Sequence, residues 1–449
     1  MMATNPSKNR LFFARRRMTM AALMLMSSSQ VMALDAIGIH SHFNHYPDSS
    51  DTYLAMIKQF GFNSFRSDLA WNSIESQKGV FSINDAGNQK EDLAFQTGFS
   101  QYGLSALMVL GYGNKLYSNN AIDFPRTPEQ IAAFANYAAW VAARYKGKVK
   151  YFDIWNEWLY GTGLTSKPRN VPPAQVYFDV VKATSAAVRK VDPNAVILAG
   201  SFNTNKPRDV AWFEELMKLG ILNYIDGVSI HPYSLKLPED NLATIDKFEE
   251  LAKRYAGKEV PVYITEMGQS SSTAPGYVSD DATAQFVVKY TFLAKARPYI
   301  KGLWWYDLVD DGPDVKNREH RFGFVTQSNQ PKSMALQFQK IAEVARDYKV
   351  ERYQTNTDGN VSISLSHGGK YALLAWQQAP VQAQAPQQDL LKSVKSFVKM
   401  EGDKSEGAIR MIDPHFQGQS LYEEKSALTK NYGNVPVLVQ SDKPIAAPQ

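Results

Sequence analysis

Eight short runs rich in apolar, β-branched and aromatic residues recur along the first three-quarters of the chain. They are AIGIHSHF (36–43), FNSFRSDLAW (62–71), LSALMVLGYG (104–113), VKYFDIWNEW (149–158), AVILAGSFN (195–203), IDGVSIHPY (225–233), VPVYITEMG (260–268) and IKGLWWYDL (300–308). Longer amphipathic runs separate them, among them TPEQIAAFANYAAWVAARY (127–145), AQVYFDVVKATSAAVRKV (174–191) and DATAQFVVKYTFLAKA (281–296). Pro128 sits where a first helical turn tolerates proline. Strands alternating with helices imply parallel pairing and right-handed crossovers. Eight such units predict a closed (β/α)8 TIM barrel over residues 34–348. The alternative, an open doubly wound sheet, would want a glycine-rich phosphate turn after its first strand, and IGIHSHF has none.

The pattern changes after SMALQFQKIAEVARDYK (333–349), which reads as the eighth barrel helix. NVSISLS, KYALLAW, GAIRMID and NVPVLVQ are short strand-like runs between turn residues, and they predict a small C-terminal β-sandwich over 349–449. QQAPVQAQAPQQD (377–389) is of low complexity and reads as a loop within it.

Bulk properties narrow the functional classes. The 449 residues are 44% hydrophobic and 21% charged, an ordinary globular balance, and none is cysteine. Disulfide frameworks, iron–sulfur clusters and thiolate zinc sites are thereby excluded. Residues 1–33 read as an export signal: a basic stretch ending in Arg15, Arg16 and Arg17, then MTMAALMLM, then small residues up to Ala33. That apolar run is too short to span a bilayer. The segment carries five basic residues and no acid, so its removal leaves 44 basic against 44 acidic side chains. A neutral chain of this kind gives no reason to expect nucleic-acid binding. An exported protein, periplasmic or extracellular, without stable membrane insertion and monomeric, is the expectation.

In such barrels the chemistry collects where strands end. Strand one ends in His40 and His42, and strand two carries Arg66 and Asp68. Strand four ends in Asn156 and Glu157, strand six in His231 and Tyr233, and strand seven in Glu266. Trp304, Trp305 and Asp307 close strand eight. Ionised carboxylates are costly to bury without partners, so Glu157 between Trp155 and Trp158 needs a partner or a task. Two glutamates facing each other across a barrel mouth are what glycosidic-bond cleavage requires, one as proton donor and one as nucleophile or base.

On IWNEW, SIHPY and YITEMG the chain resembles the retaining glycoside hydrolases of clan A, over about residues 37–345. It is most similar to family 39, with family 5 second, and to the bacterial exopolysaccharide hydrolases among them. The resemblance implies Glu157 as general acid/base, Glu266 as nucleophile and Asn156 as the partner of the sugar 2-hydroxyl. It implies that His231 or Tyr233 orients Glu266, that Arg66 holds its charge, and that Trp305 or Trp304 is the stacking floor, with His40 and His42 also against substrate. Where many clan members have proline after Asn-Glu, this chain has Trp158. The expected substrate is a β-linked polysaccharide or oligosaccharide, cleaved with no metal and no organic cofactor.

Two other classes compete. His40 and His42 form an H-x-H of the kind from which metal-dependent amidohydrolase barrels build two-metal sites. Against that, strand five supplies no histidine, strand four ends without a lysine, and Glu266 would have no part to play. A non-catalytic polysaccharide-binding barrel is the third class, and the presence of both glutamates argues against it.

Overall fold

The computed structural model describes residues 34–356, 359–378, 410–412 and 435–445. The first of these ranges contains the predicted barrel. Its strands are β1 (Ala36–His40), β2 (Ser64–Asp68), β3 (Ser105–Leu110), β4 (Val149–Ile154), β5 (Val196–Phe202), β6 (Gly227–Ile230), β7 (Val262–Met267) and β8 (Ile300–Trp305). They pair in chain order, and β8 closes on β1 in parallel with Ile37 opposite Leu303. Helices α1 (Ser50–Phe60), α2 (Ala86–Tyr102), α3 (Pro128–Arg144), α4 (Ala174–Val191), α5 (Pro207–Lys218), α6 (Pro238–Ala256), α7 (Asp280–Lys295) and α8 (Ser333–Asp347) supply the crossovers.

Local chemistry sets the helix ends. Ser49 caps α1, its side chain accepting from the Thr52 N–H, and Gly61 ends the helix in the left-handed conformation at φ 91°. Thr127 and Gln130 form a reciprocal capping box at α3, with Pro128 at the start as the sequence predicts.

Two cores result. The larger lies between strands and helices, as amphipathic helices on a parallel barrel require. The smaller fills the barrel itself with Ala36, Leu107, Val109, Tyr151, Leu198, Tyr263 and Trp304. Trp304 fits because two strands give way to it. A Cβ on Gly38 would stand 2.2 Å from its ring, and one on Gly302 would stand 2.4 Å away. The indole Nε1 donates to Ser64 Oγ at 2.9 Å, so the ring is held inside without an orphaned polar atom.

Beyond α8 the chain forms an antiparallel sheet of β9 (Lys349–Thr355), β10 (Asn360–His367), β11 (Lys370–Gln377), β12 (Arg410–Ile412) and β13 (Val437–Ser441), in the order β9-β10-β11-β13-β12. One face, carrying Val361, Ile363, Leu374, Trp376 and Leu438, joins the main hydrophobic core. Trp376 Nε1 also donates to Glu239 of α6 at 2.7 Å. A sandwich needs a second layer, and the described residues of this segment form one five-stranded sheet. The predicted signal segment and nearly all of the low-complexity stretch at 377–389 lie outside the described residues.

Candidate active site

Strand β4 delivers the first carboxylate by way of an unusual bend. After Ile154, Trp155 (φ 70°) and Glu157 (φ 52°) both take left-handed backbone conformations. Side chains of this size rarely do so, and each such residue costs on the order of 1–3 kcal/mol. Packing offsets the cost. The Trp155 ring lies 4.8 Å from Trp158, 5.6 Å from Phe124 and 5.8 Å from Tyr112, while its backbone N–H donates to Leu110 O at 2.9 Å. Trp158 in turn packs 4.4 Å from Phe124 and 4.9 Å from Tyr177. The tryptophans around Asn156 and Glu157 are anchors in the barrel wall, and the segment they pin turns its polar side chains into the mouth.

Strand β7 delivers Glu266, and two neighbours hold it by one oxygen each. Arg66 of β2 donates to Oε2 at 2.8 Å, and Tyr233 Oη donates to Oε1 at 2.8 Å. Arg66 is fully buried and serves three partners: besides Glu266, its Nη1 donates to His40 Nδ1 at 2.7 Å and its Nη2 to Asn156 Oδ1 at 2.8 Å. Burial works against that guanidinium, but the Glu266 and Asp153 carboxylates outweigh it and leave Arg66 more firmly protonated than usual. Asp153 lies in the barrel beneath, accepting from Ser229 Oγ at 2.7 Å and Ser201 Oγ at 3.1 Å.

His231 joins the two acids. Its Nδ1 is 3.3 Å from Glu157 Oε1 and 3.9 Å from Glu266 Oε2, and its Nε2 is 3.1 Å from Thr265 Oγ1. Thr162 donates to the other oxygen of Glu157 at 3.0 Å. Burial pushes the Glu157 carboxyl up. The His231 hydrogen bond and charge, the Thr162 hydroxyl and the Arg66 charge together outweigh it and hold Glu157 below the usual carboxylate range.

These side chains open on a cavity of about 690 Å³ at the C-terminal mouth of the barrel. The structure brings together on its lining the predicted His40, His42, Arg66, Asn156, Glu157, His231, Tyr233 and Glu266. His40 is driven well below its ordinary value by burial and then by Arg66; His42 falls to about 4, through burial and then His45. Trp304 and Trp305 are not on the lining, and their assignment as a sugar floor is corrected. Trp304 is the plug of the barrel interior, and Trp305 faces the helices, against Tyr290 and Phe286; both have 0% exposure. The cause is one residue of register. Strand β8 ends at Trp305, so the aromatic side chain that reaches the mouth is the next one, Tyr306. Trp71 and Trp158 are core as well. Thr162 and Tyr112 also line the cavity, and no motif in the sequence singles them out. The charged loop at 310–324 forms part of the wall through Arg318, Glu319 and Phe322, tied down by Ser270 Oγ donating to Arg318 O at 2.8 Å.

The two-metal reading fails at His40. Its Nδ1 is taken by a guanidinium donor, and the charge on Arg66 would oppose a cation beside it.

With the site assembled, comparison with known proteins is decisive. The model of the cellulase family, glycosyl hydrolase family 5, matches residues 27–306. The chain belongs to that family. This family-5 hydrolase is also similar in fold to a family 39 glycoside hydrolase from the gut symbiont Bacteroides cellulosilyticus WH2, at 23% identity and a TM-score of 0.71 over 91% of this chain and 81% of that one. A glucosidase from Croceicoccus marinus matches at 11% identity and a TM-score of 0.59, over 78% and 76% of the two chains. A single-residue variant of a GH5_18 protein from Bifidobacterium longum subsp. longum, solved with Manb1-4GlcNAc, matches at 16% identity and a TM-score of 0.55, over 71% and 80%. Of the two families that the motifs resemble, the matching model is that of family 5, and the family 39 likeness is one of fold.

Proposed function

We propose that this family-5 hydrolase cleaves a β-linked polysaccharide or oligosaccharide with retention of configuration, Glu266 acting as nucleophile and Glu157 as acid and then base. The observation that carries the reading is the nitrogen shared by the two acids. With 3.3 Å to one carboxylate oxygen and 3.9 Å to the other, the separation of those oxygens cannot exceed the sum of these distances. That bound accommodates the roughly 5–5.5 Å spacing at which one carboxylate attacks the anomeric carbon directly, and it overlaps only the lower end, from about 6.5 Å, of the wider spacing that leaves room for an attacking water.

In the first step Glu266 Oε forms a bond to the anomeric carbon, the glycosidic C–O bond breaks, and Glu157 gives its proton to the departing oxygen. In the second, Glu157 takes a proton from water, the oxygen of that water bonds to the anomeric carbon, and Glu266 is released. Arg66 and Tyr233 fix the direction of Glu266 before substrate arrives. Asn156 accepts from Arg66 at its Oδ1, its side chain also hydrogen-bonds the Tyr112 hydroxyl, and it is the residue placed to meet a sugar 2-hydroxyl. Tyr306 takes the aromatic place expected of Trp304 or Trp305. A glucose- or mannose-type ring is the preferred substrate unit, supported by the name of the family and by the Manb1-4GlcNAc bound in a distant structural neighbour. Endo-action on a bacterial exopolysaccharide, by a monomer exported after loss of residues 1–33, completes the reading.

Glu157→Gln is expected to lower kcat by about 10²–10⁴-fold, and Glu266→Gln at least as much, with folding retained. Azide is expected to rescue Glu266→Gly by yielding a glycosyl azide of inverted configuration, read by NMR. Wild-type hydrolysis of a β-glycan panel by both glutamine variants would overturn the assignment.

A further inference from the structure

Asp307 follows Tyr306 at the end of β8 and is wholly buried, yet among the described residues neither carboxylate oxygen has a hydrogen-bond partner. Buried polar groups are nearly always satisfied, and buried charges are paired or bound to metal, so such a group needs an explanation. The mechanism above makes no use of it. Its surroundings supply one. A ring nitrogen of His42, an oxygen of Asp307 and an oxygen of Asp311 all lie within 4.8 Å of one another. Side chains around one bound cation stand at separations of this order. Asp311 is exposed and gives the cluster a way in from solvent, while its other commitment is to accept from the Tyr306 hydroxyl at 2.9 Å. The cationic side chains on this side are spoken for: Lys332 is engaged by Asp310 at 2.9 Å, and Arg321 is engaged there too at 2.6 Å. Neither donates to Asp307.

We propose that His42, Asp307 and Asp311 bind one divalent cation in the wall of the cavity. Because an imidazole nitrogen joins two carboxylate oxygens, the donor set suits manganese or zinc better than calcium or magnesium, with water completing the shell. The cation is a positioning element and not part of the hydrolytic chemistry. It ties the end of β1 to the end of β8, and so fixes two side chains on the lining. The His42 ring stands 4.4 Å from that of His40, which accepts from Arg66, and Tyr306 stands 5.3 Å from His40.

The test uses the full chain, stripped with a chelator and then titrated calorimetrically with MnCl₂, ZnCl₂ or CaCl₂, with bound metal counted by mass spectrometry. One manganese or zinc per chain, with a higher Tm in the metal-loaded protein, is the expected result. Asp307→Asn and the exposed Asp311→Asn are each expected to weaken uptake at least tenfold, whereas Glu266→Gln leaves uptake unchanged because it lies outside the donor set. If Asp307→Asn does not fold, Asp311→Asn alone decides. Absence of uptake, uptake of calcium alone, or uptake indifferent to Asp311→Asn would overturn the proposal. None of these outcomes depends on whether the protein hydrolyses a glycan.

Discussion

Glu157 carries opposing demands. Its surroundings favour the ionised form, which the second step of the proposed mechanism needs, whereas the first step needs the proton in place. The acid form is therefore populated on the low-pH side, and kcat/KM should fall as pH rises through the Glu157 pKa. Thr162 offers a way to move that limb. Its hydroxyl hydrogen-bonds the ionised carboxylate at 3.0 Å and lowers the pKa. Thr162→Val removes that stabilisation, so the pKa should rise and the descending limb of kcat/KM should shift to higher pH. An unmoved limb in the variant's pH profile would show that another group controls the proton.

At the scale of elements, the strand and helix pattern was legible because hydrophobic period and turn chemistry agreed along the barrel. The α4 run predicted at 174–191 coincides with the helix formed, and the polar residues closing β2, β4, β6 and β7 all reach the mouth. What escaped was where a strand stops. Trp304, Trp305 and Tyr306 are three aromatic residues in a row, and only the end of β8 decides which one clears the rim. The glycines at 38 and 302 held a hint, since such gaps in neighbouring strands leave room for a large ring inside the barrel. The contact of His231 with Glu157 joins strands distant in sequence and left no local trace, whereas its place beside Glu266 was among the expectations that SIHPY carried. A Cβ on Gly38 would meet an aromatic ring with nowhere to move. Gly38→Ala should therefore cost about 1–3 kcal/mol or more in denaturant unfolding. Combining it with Trp304→Leu should recover part of that loss, and strict additivity of the two changes would contradict the packing account.

Over the whole molecule, the C-terminal sheet and the cavity are separate concerns. Among the described residues, none beyond Phe322 lines the cavity, while one face of the sheet is built into the main core. Ending the chain after Asp347 should expose that apolar seat, lowering Tm and promoting aggregation, yet leave kcat nearly intact in whatever fraction stays folded. Trp376→Ala is the gentler version and should cost about 3–5 kcal/mol, with activity at low temperature unchanged. A truncated chain as stable as the parent would refute this division. The barrel, for its part, has a floor. Trp304, packed with Tyr151 and Tyr263, closes the barrel interior beneath the cavity. What arrives from the C-terminal side must therefore also leave on that side, with no passage through the barrel.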